Sequence, residues 1–235
     1  MARRGRLRGA DVGQIKEPPI RIKHYQYLFL IVCEDQRTEP EYFEFFKNKI
    51  PEKSIYLKPV GTGRDPKGVV ERAIIEKEEL SKEANKEIDE VWVVFDKDDA
   101  DLNQARIKRF TEAFELADEN KIEVAYSNEV FELWLLMHLR DIDHSVVLPR
   151  REIYGLLQEE IRKQDKFSDF IYIHGDSEIL KIIQEIGSQE EAINRAKELF
   201  EKQKDKQPIE ANPNTKIHFL VQNLLEWIAY YSYTP

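Results

Sequence analysis

Acidic side chains follow two strongly apolar segments of the chain. Glu34 comes directly after residues 27–33 (YLFLIVC), and Asp96 and Asp98 come after residues 91–95 (VWVVF). If both segments are strands of one parallel sheet, their carboxyl ends meet at one edge, where such sheets bind ligands. Converging carboxylates repel one another unless a cation lies between them, and hard cations prefer oxygen ligands. The pattern predicts a Mg²⁺ or Mn²⁺ site at this edge.

Asp96 and Asp98 are two residues apart, so their side chains project to the same side if the extended backbone continues past the strand. Acidic residues after a strand also cap helices or lie in solvated turns, and the short DKDD sequence by itself does not separate these alternatives. Glu34 at the end of a second strand favours the metal site. Asp99 is left open as a further metal ligand or as the cap of the next helix.

Glu132 is another candidate catalytic carboxylate. It stands near the start of a predicted apolar helix, residues 130–139, whose aromatic side chains recur at helical spacing and are interpreted as core. A glutamate in the first turn of a helix often does no more than compensate the helix dipole. This helix follows a predicted strand directly, however, so its N-terminus opens onto the acidic edge. Glu132 therefore stays a candidate, and Asn128 is a candidate hydrogen-bonding residue beside it.

A cluster of glycines follows the second predicted strand. Gly61, Gly63 and Gly68 are three of the nine glycines in the chain. Clustered glycines let a backbone approach a phosphate closely, and Arg64 or Lys67 would add positive charge. The spacing is not that of a P-loop, because no Gly-Lys-Ser/Thr sequence follows. We predict a segment that contacts phosphate, with a flexible turn as the alternative.

The elements that position these residues alternate between short apolar runs and amphipathic stretches, which predicts βα units around a parallel sheet. The predicted strands are residues 27–33, 54–60, 91–95 and 122–126, and the predicted helices are residues 38–50, 66–84, 103–119 and 130–139. Thr38 is the predicted N-cap of the first helix. The predicted fold class is α/β, a parallel sheet flanked by helices.

The pattern changes beyond Asp141. Residues 24–140 form the predicted catalytic core, and residues 141–235 are interpreted as a helical elaboration that packs on it. The only candidate strand in the elaboration is around residues 171–173, and residues 212–215 (NPNT) are interpreted as a turn and N-cap of the last helix.

The composition suits one domain with a modest elaboration. Of the 235 residues, 41% are hydrophobic and 34% are charged, which excludes a disordered chain. No apolar run approaches the roughly 18–20 residues that span a bilayer, and no apolar segment directly follows the N-terminal arginines. We therefore expect no membrane span, no secretory signal and a cytoplasmic location. The single cysteine, Cys33, excludes an intramolecular disulfide and a cysteine-cluster zinc site.

The net charge of −9 argues against a general DNA-coating protein, whose affinity comes from many basic residues. It does not exclude a nuclease, which needs local carboxylates to hold a metal. Residues 1–23 form a basic arm with seven Lys or Arg against two acidic residues, a balance of 7 − 2 = +5. The arm is either a contact for nucleic acid or a partner, or simply solvated.

Five segments carry a resemblance to known proteins. They are IVCEDQRTEPEYF (31–43), GTGRDP (61–66), VWVVFDKDD (91–99), SNEVFELWLLMH (127–138) and NPNTKIHFLV (212–221). In this order they resemble the RloB-like family of Toprim-related bacterial proteins, and Glu34 with Asp96 and Asp98 resembles the Toprim catalytic residues. The resemblance implies a Toprim-like parallel sheet flanked by helices. It also implies that Glu34 acts as general acid or base, as a metal ligand, or as both, and that Asp96 and Asp98 hold Mg²⁺.

The resemblance also implies a function. A Toprim-type nuclease would cleave phosphodiester bonds of DNA or RNA, here as the effector of a bacterial anti-phage system that works with an ABC-type ATPase. Two alternatives stay open: a phosphohydrolase or nucleotidyltransferase that acts on a small nucleotide, and a regulatory subunit that binds metal without turnover. The choice between DNA and RNA, the number of metal ions and the oligomeric state, including a homo-oligomer, are not determined by the sequence.

Overall fold

The computed structural model describes residues 22–233, in which the central element is a five-stranded sheet. The strands are β1 (Tyr27–Cys33), β2 (Ile55–Gly61), β3 (Glu90–Asp96), β4 (Glu123–Asn128) and β5 (Asn214–Thr215). Their spatial order is β2-β1-β3-β4-β5, with the first four parallel and β5 antiparallel to β4. The predicted α/β fold with a mostly parallel sheet is confirmed. The basic arm predicted for residues 1–23 lies outside the described residues except for its last two.

Helices cover the sheet and form the C-terminal region. They are α1 (Thr38–Glu44), α2 (Pro66–Ala84), α3 (Gln104–Glu119), α4 (Glu132–Met137), α5 (Arg150–Arg162), α6 (Glu178–Ile186), α7 (Gln189–Gln203) and α8 (Ile217–Tyr233). The first predicted helix is α-helical only to Glu44 and continues as a 3₁₀ helix, Phe45–Lys49. Between residues 22 and 233, no helix is long and apolar enough to cross a membrane.

The sequence of β1 is apolar almost throughout because both faces of the strand are covered. Every residue of β1 is buried, and successive side chains point to opposite faces of the sheet. Phe29 and Ile31 enter a core shared with α1, α4 and the C-terminal helices, whereas Leu28 and Leu30 enter a second core with α2 and α3. A strand covered on both faces needs apolar residues at every position, which accounts for the YLFLIVC run.

The C-terminal helices share a core with the sheet. Ile153 and Leu157 of α5, Ile183 of α6, Leu199 of α7 and Leu224 of α8 belong to the same buried cluster as one face of β1. Burying these side chains against the sheet is the main force that holds α5 to α8 in place. The region after Asp141 is therefore positioned close enough to contribute side chains to the edge of the sheet.

Two local predictions are wrong. Thr38 is the first residue of α1 and not its cap; the Asp35 side chain accepts the Thr38 N–H at 2.6 Å instead. Residues 171–173 form no strand, and the strand of the C-terminal region is β5, which pairs Asn214 with Asn128. A two-residue strand is too short to show any periodicity, so the residues of the NPNT segment indicated only a turn. Its Thr215 hydroxyl does accept the Ile217 N–H at the start of α8.

Candidate active site

Glu34 and Asp96 lie side by side because their strands are neighbours in the sheet. Strand β1 pairs with β3 in parallel register, and the Glu34 N–H continues this ladder by donating to the Val94 carbonyl at 2.8 Å. The Asp96 N–H then donates to Oε2 of Glu34 at 3.0 Å. The two acidic residues predicted to meet at the carboxyl edge are thus in direct contact.

Asp96 is held by the start of α4. Its Oδ2 accepts the Phe131 N–H at 3.0 Å, whereas its Oδ1 is buried and has no hydrogen-bond partner among residues 22–233. Burial raises the pKa of Asp96 well above its usual range, and the nearby carboxyl groups of Glu39 and Glu34 raise it further. A buried carboxylate oxygen without a partner is costly, and a bound cation would satisfy it.

Glu34 also has a strongly perturbed environment. Burial raises its pKa to about 8, the Asp96 N–H opposes this rise, and the charges of Asp98, Asp65 and Asp35 add to it. A carboxyl group with this pKa exchanges protons near neutral pH, which is the property expected of a general acid or base.

Glu39 is a buried carboxylate that the sequence pattern did not single out. It is only 1% exposed, and its Oε2 accepts the Asp35 N–H at 3.1 Å. Burial and the neighbouring Glu34 raise its pKa well above the usual range. The available signal was its position: Glu39 precedes Tyr42 and Phe43 by three and four residues, so it lies on the apolar face of α1.

Asp98 and Asp99 are bound by Arg150, the first residue of α5. The extended backbone does not continue past β3, because Asp98 has a left-handed φ of 49°. Nη2 of Arg150 lies 3.1 Å from Oδ1 of Asp98 and 3.0 Å from Oδ2 of Asp99. Burial raises the pKa of Asp98 while the Arg150 charge opposes the rise. Asp99 does not cap α3, whose cap is Asn103. Its carboxylate is instead occupied by Arg150.

One cavity of about 760 Å³ collects these groups. Glu34, Asp96 and Asp98 line it, together with Glu39. The basic side chains that line the same cavity are Arg37, Arg64, Arg150 and His174. Arg37 and Arg64 are exposed at its rim. Asp35 and Asp65 also line the cavity. The cavity therefore combines carboxylates, which suit a cation, with exposed arginines, which suit a phosphate ester that approaches it.

The sequence profile of the family described as RloB-like protein matches residues 29–224. The chain belongs to the RloB-like family. The matched range begins within β1 and includes the other four strands and the residues of the cavity, so the resemblance seen in the five sequence segments is confirmed. No curated protein and no solved structure matches the chain significantly.

Not every predicted site residue of this RloB-like chain reaches the cavity. Lys67 does not line it, because its Nζ pairs with Glu112 at 2.7 Å. Asn128 is fully buried and donates to the Pro208 carbonyl at 3.1 Å, so it faces neither the cavity nor solvent. Both were expected near substrate, and both are instead engaged by segments that are distant along the chain.

The glycine cluster has a structural explanation. A Cβ atom on Gly61 would come within 2.7 Å of the Asp35 carbonyl oxygen, so a larger residue would push away the turn after β1. Gly63 has a φ of 66° and lines the cavity beside Arg64, but its N–H already donates to the Glu34 carbonyl at 2.7 Å. The glycines therefore let the two loops approach each other, and contact of this segment with phosphate stays a prediction.

Glu132 is buried close to the acidic edge but does not line the cavity. Its Oε1 accepts a hydrogen bond from the Tyr172 hydroxyl and lies 3.9 Å from Nδ1 of His174. Its charge contributes to the raised pKa of Asp96, so the two carboxyl groups are near each other. Tyr172 and His174 come from the region after Asp141, and no local pattern pointed to them.

The donors at this edge are hard oxygens, which suit Mg²⁺ or Mn²⁺. The unpartnered Oδ1 of Asp96 fits such an ion. Across residues 22–233, however, no three His, Cys, Asp or Glu side chains are already arranged to enclose a metal ion. In this structure Asp98 is paired with Arg150, so it would have to leave that pairing in order to become a ligand.

Proposed function

We propose that this RloB-like protein is a Mg²⁺- or Mn²⁺-dependent nuclease that hydrolyses phosphodiester bonds of DNA or RNA. The observation that carries the proposal is the contact between Glu34 and the Asp96 backbone, beside a buried Asp96 oxygen without a partner. Glu34 and Asp96 line a cavity that is also lined by Arg37 and Arg64.

The roles of the residues follow from their surroundings. Glu34, Asp96 and Asp98 would hold the metal ion, which when bound neutralises charge on the phosphate oxygens. Arg37 and Arg64 are exposed at the rim of the cavity and would bind the phosphate backbone. Burial raises the pKa of Glu34 to about 8 in the metal-free protein, so it is the group suited to exchange a proton with water at this edge.

We further propose that the chain acts with an ABC-type ATPase as the effector of a bacterial anti-phage system, as the family resemblance implies. The net charge of −9 disfavours strong binding of a polyanion at physiological salt. Two basic groups near the site are already occupied, Arg150 by Asp98 and Asp99 and Lys67 by Glu112. A partner with a basic surface would supply the missing attraction, so we expect the purified chain by itself to cut weakly.

The test is incubation of the purified protein with single- and double-stranded DNA and RNA, in Mg²⁺, Mn²⁺ or EDTA, with and without the ATPase and ATP. We expect metal-dependent cleavage that increases with the partner and is lost in Glu34→Gln and Asp98→Asn. Glu52→Gln, whose side chain is 85% exposed, is the control for removal of one negative charge.

Each other outcome has a definite meaning. Rapid, salt-resistant cleavage by the chain by itself would contradict the need for a partner. Hydrolysis of small nucleotides without cleavage of polymers would favour the phosphohydrolase alternative, and metal binding without any turnover would favour a regulatory subunit. Full activity in both site variants would overturn the assignment of the site.

A further inference from the structure

The segment between α5 and α6 brings His174 to the acidic cavity. Its backbone is anchored on α5, where Oε1 of Gln158 accepts the Tyr172 N–H at 2.9 Å. Nδ1 of His174 lies 3.4 Å from the Tyr154 hydroxyl, 3.5 Å from the Tyr172 hydroxyl and 3.9 Å from Oε1 of Glu132. One ring nitrogen of His174 is thus surrounded by side chains from α4, from α5 and from its own segment.

Aromatic contacts orient the imidazole ring. Tyr154 and Tyr172 stack with ring centroids 4.7 Å apart, and the Tyr154 ring lies 5.8 Å from the ring of His174. The alternate residues Ile171 and Ile173 are 66% and 61% exposed. Burial of apolar surface would favour the opposite orientation, with the isoleucines inside. The segment instead turns Tyr172 towards Glu132 and places His174 at the cavity, at the expense of two exposed isoleucines.

The charge distribution favours a protonated imidazole at this place. The side chain of Glu132 is 7% exposed, whereas that of His174 is 75% exposed. A buried carboxylate therefore stands behind an imidazole that faces solvent and the cavity. The interaction with Glu132 raises the pKa of His174 above its usual range, and burial opposes this rise only in part.

We propose that protonated His174 binds a phosphate group of the nucleic acid at the acidic cavity, and that Glu132 and Tyr172 are positioning residues that hold the imidazolium there. The inference rests on the proposed nuclease function and adds a substrate contact from the C-terminal helical region. It gives Glu132 an indirect role. A positive group at the wall offsets the repulsion between a phosphate and the carboxylates below it.

Several titratable or charged groups face His174 and contribute to its pH dependence. They are Glu132 on α4, Tyr154 on α5, Tyr172 on the same segment, and Asp35 and Asp98 at the sheet edge. Arg150 of α5 lines the same cavity. Because several of these groups also titrate, the effect of pH is measured as the difference between a variant and the wild-type protein under identical conditions.

The experiment measures binding of a fluorescent single-stranded oligonucleotide by anisotropy in EDTA, where turnover is prevented, at about pH 6 and pH 8 and over a range of salt. The variants are His174→Ala and Glu132→Gln. His144→Ala is the matched control, because Nδ1 of His144 also lies 3.9 Å from a carboxylate, that of Asp143, but His144 does not line the cavity. The pKa of the His174 imidazole is followed by NMR in the wild-type protein and in Glu132→Gln.

We expect His174→Ala to weaken binding about tenfold at pH 6, the size of one charge-assisted hydrogen bond, and less at pH 8. The slope of log affinity against log salt should fall by about 0.7, as for one lost phosphate contact on a single strand. Glu132→Gln should lower the pKa of His174 and reproduce part of the loss at pH 6. If His174 only holds its own segment in place, His174→Ala should change neither the slope of log affinity against log salt nor the difference in affinity between pH 6 and pH 8.

Unchanged affinity and salt slope in His174→Ala, with a wild-type protein that binds and cleaves, would overturn the inference and leave the nuclease standing. Failure of the nuclease proposal can also be distinguished from failure of this inference. If the wild-type protein neither binds nor cleaves any oligonucleotide, but the His174 resonance shifts with added inorganic phosphate and the His144 resonance does not, the anion site is supported and the nuclease proposal fails.

Discussion

Glu34→Gln should make the metal-free protein more stable, by an amount that depends on pH. Burial and neighbouring carboxylates raise the pKa of Glu34 from 4.5 to about 8 in the folded protein. A carboxyl group with a raised pKa binds protons on folding, so the free energy of unfolding falls as pH rises from about 4.5 to 8. Integrated to pH 7, this effect amounts to about 3 kcal/mol.

Glutamine removes the titration and keeps an acceptor for the Asp96 N–H. We therefore expect Glu34→Gln to exceed the wild-type protein in stability by about 3 kcal/mol at pH 7 and by less than about 1 kcal/mol at pH 5. Urea denaturation in EDTA, followed by circular dichroism at several pH values, measures this difference. Added Mg²⁺ should stabilise the wild-type protein more than the variant, because a ligand that binds only the folded state raises its stability.

Glu52→Gln is the matched control, since its side chain is 85% exposed and lies away from the cavity. It reports the general effect of removing one negative charge from a protein with a net charge of −9. A stability difference for Glu34→Gln that does not change with pH would refute the reasoning. So would a variant that is less stable than the wild-type protein at pH 8, because the ionised carboxylate would then be favourable where it lies.

Two further predictions concern the sheet-covering helices. Glu76 is 3% exposed and pairs with Lys58 and Arg72. Burial alone would raise the pKa of Glu76, but these two partners lower it. The ionised carboxylate therefore stabilises the protein at neutral pH, and this stabilisation is lost in acid. Glu76→Gln should cost about 1–2 kcal/mol at pH 7 and less at about pH 3, as measured by urea denaturation; an equal cost at both pH values would contradict this. Asn103 caps α3 by accepting the Arg106 N–H at 2.9 Å, so Asn103→Ala should cost about 1 kcal/mol and Asn103→Asp much less, whereas equal losses would exclude the cap.

Much of the fold was predictable because the signals are local and periodic. Residues 27–33 and 91–95 are apolar at successive positions, which indicates strands buried on both faces, and β1 and β3 occupy these places. Helix α2 could be located from Pro66 at its start and from its amphipathic spacing. Each of these signals depends on neighbours within one element, so the sequence contains all the information that the prediction needs.

The contact of Glu34 with Asp96 was also predictable, because strands of a parallel sheet end at the same edge. The sequence did not determine which strands are neighbours. The contact depends on the order β2-β1-β3-β4-β5, in which β1 and β3 are adjacent although β2 lies between them along the chain. That order results from the packing of helices on both faces of the sheet. No single segment of the sequence contains the information that specifies this packing.

The sequence by itself determined the four parallel strands, the helices between them, and the acidic residues at the carboxyl ends of β1 and β3. The tertiary structure decided the partners of those residues: Arg150 on Asp98 and Asp99, Tyr172 and His174 on Glu132, and β5 on β4. These contacts join segments 40 or more residues apart, as from Glu132 to Tyr172. Their positions follow from burial of α5 to α8 against the sheet, and neither spacing nor periodicity within a segment reports how distant segments pack.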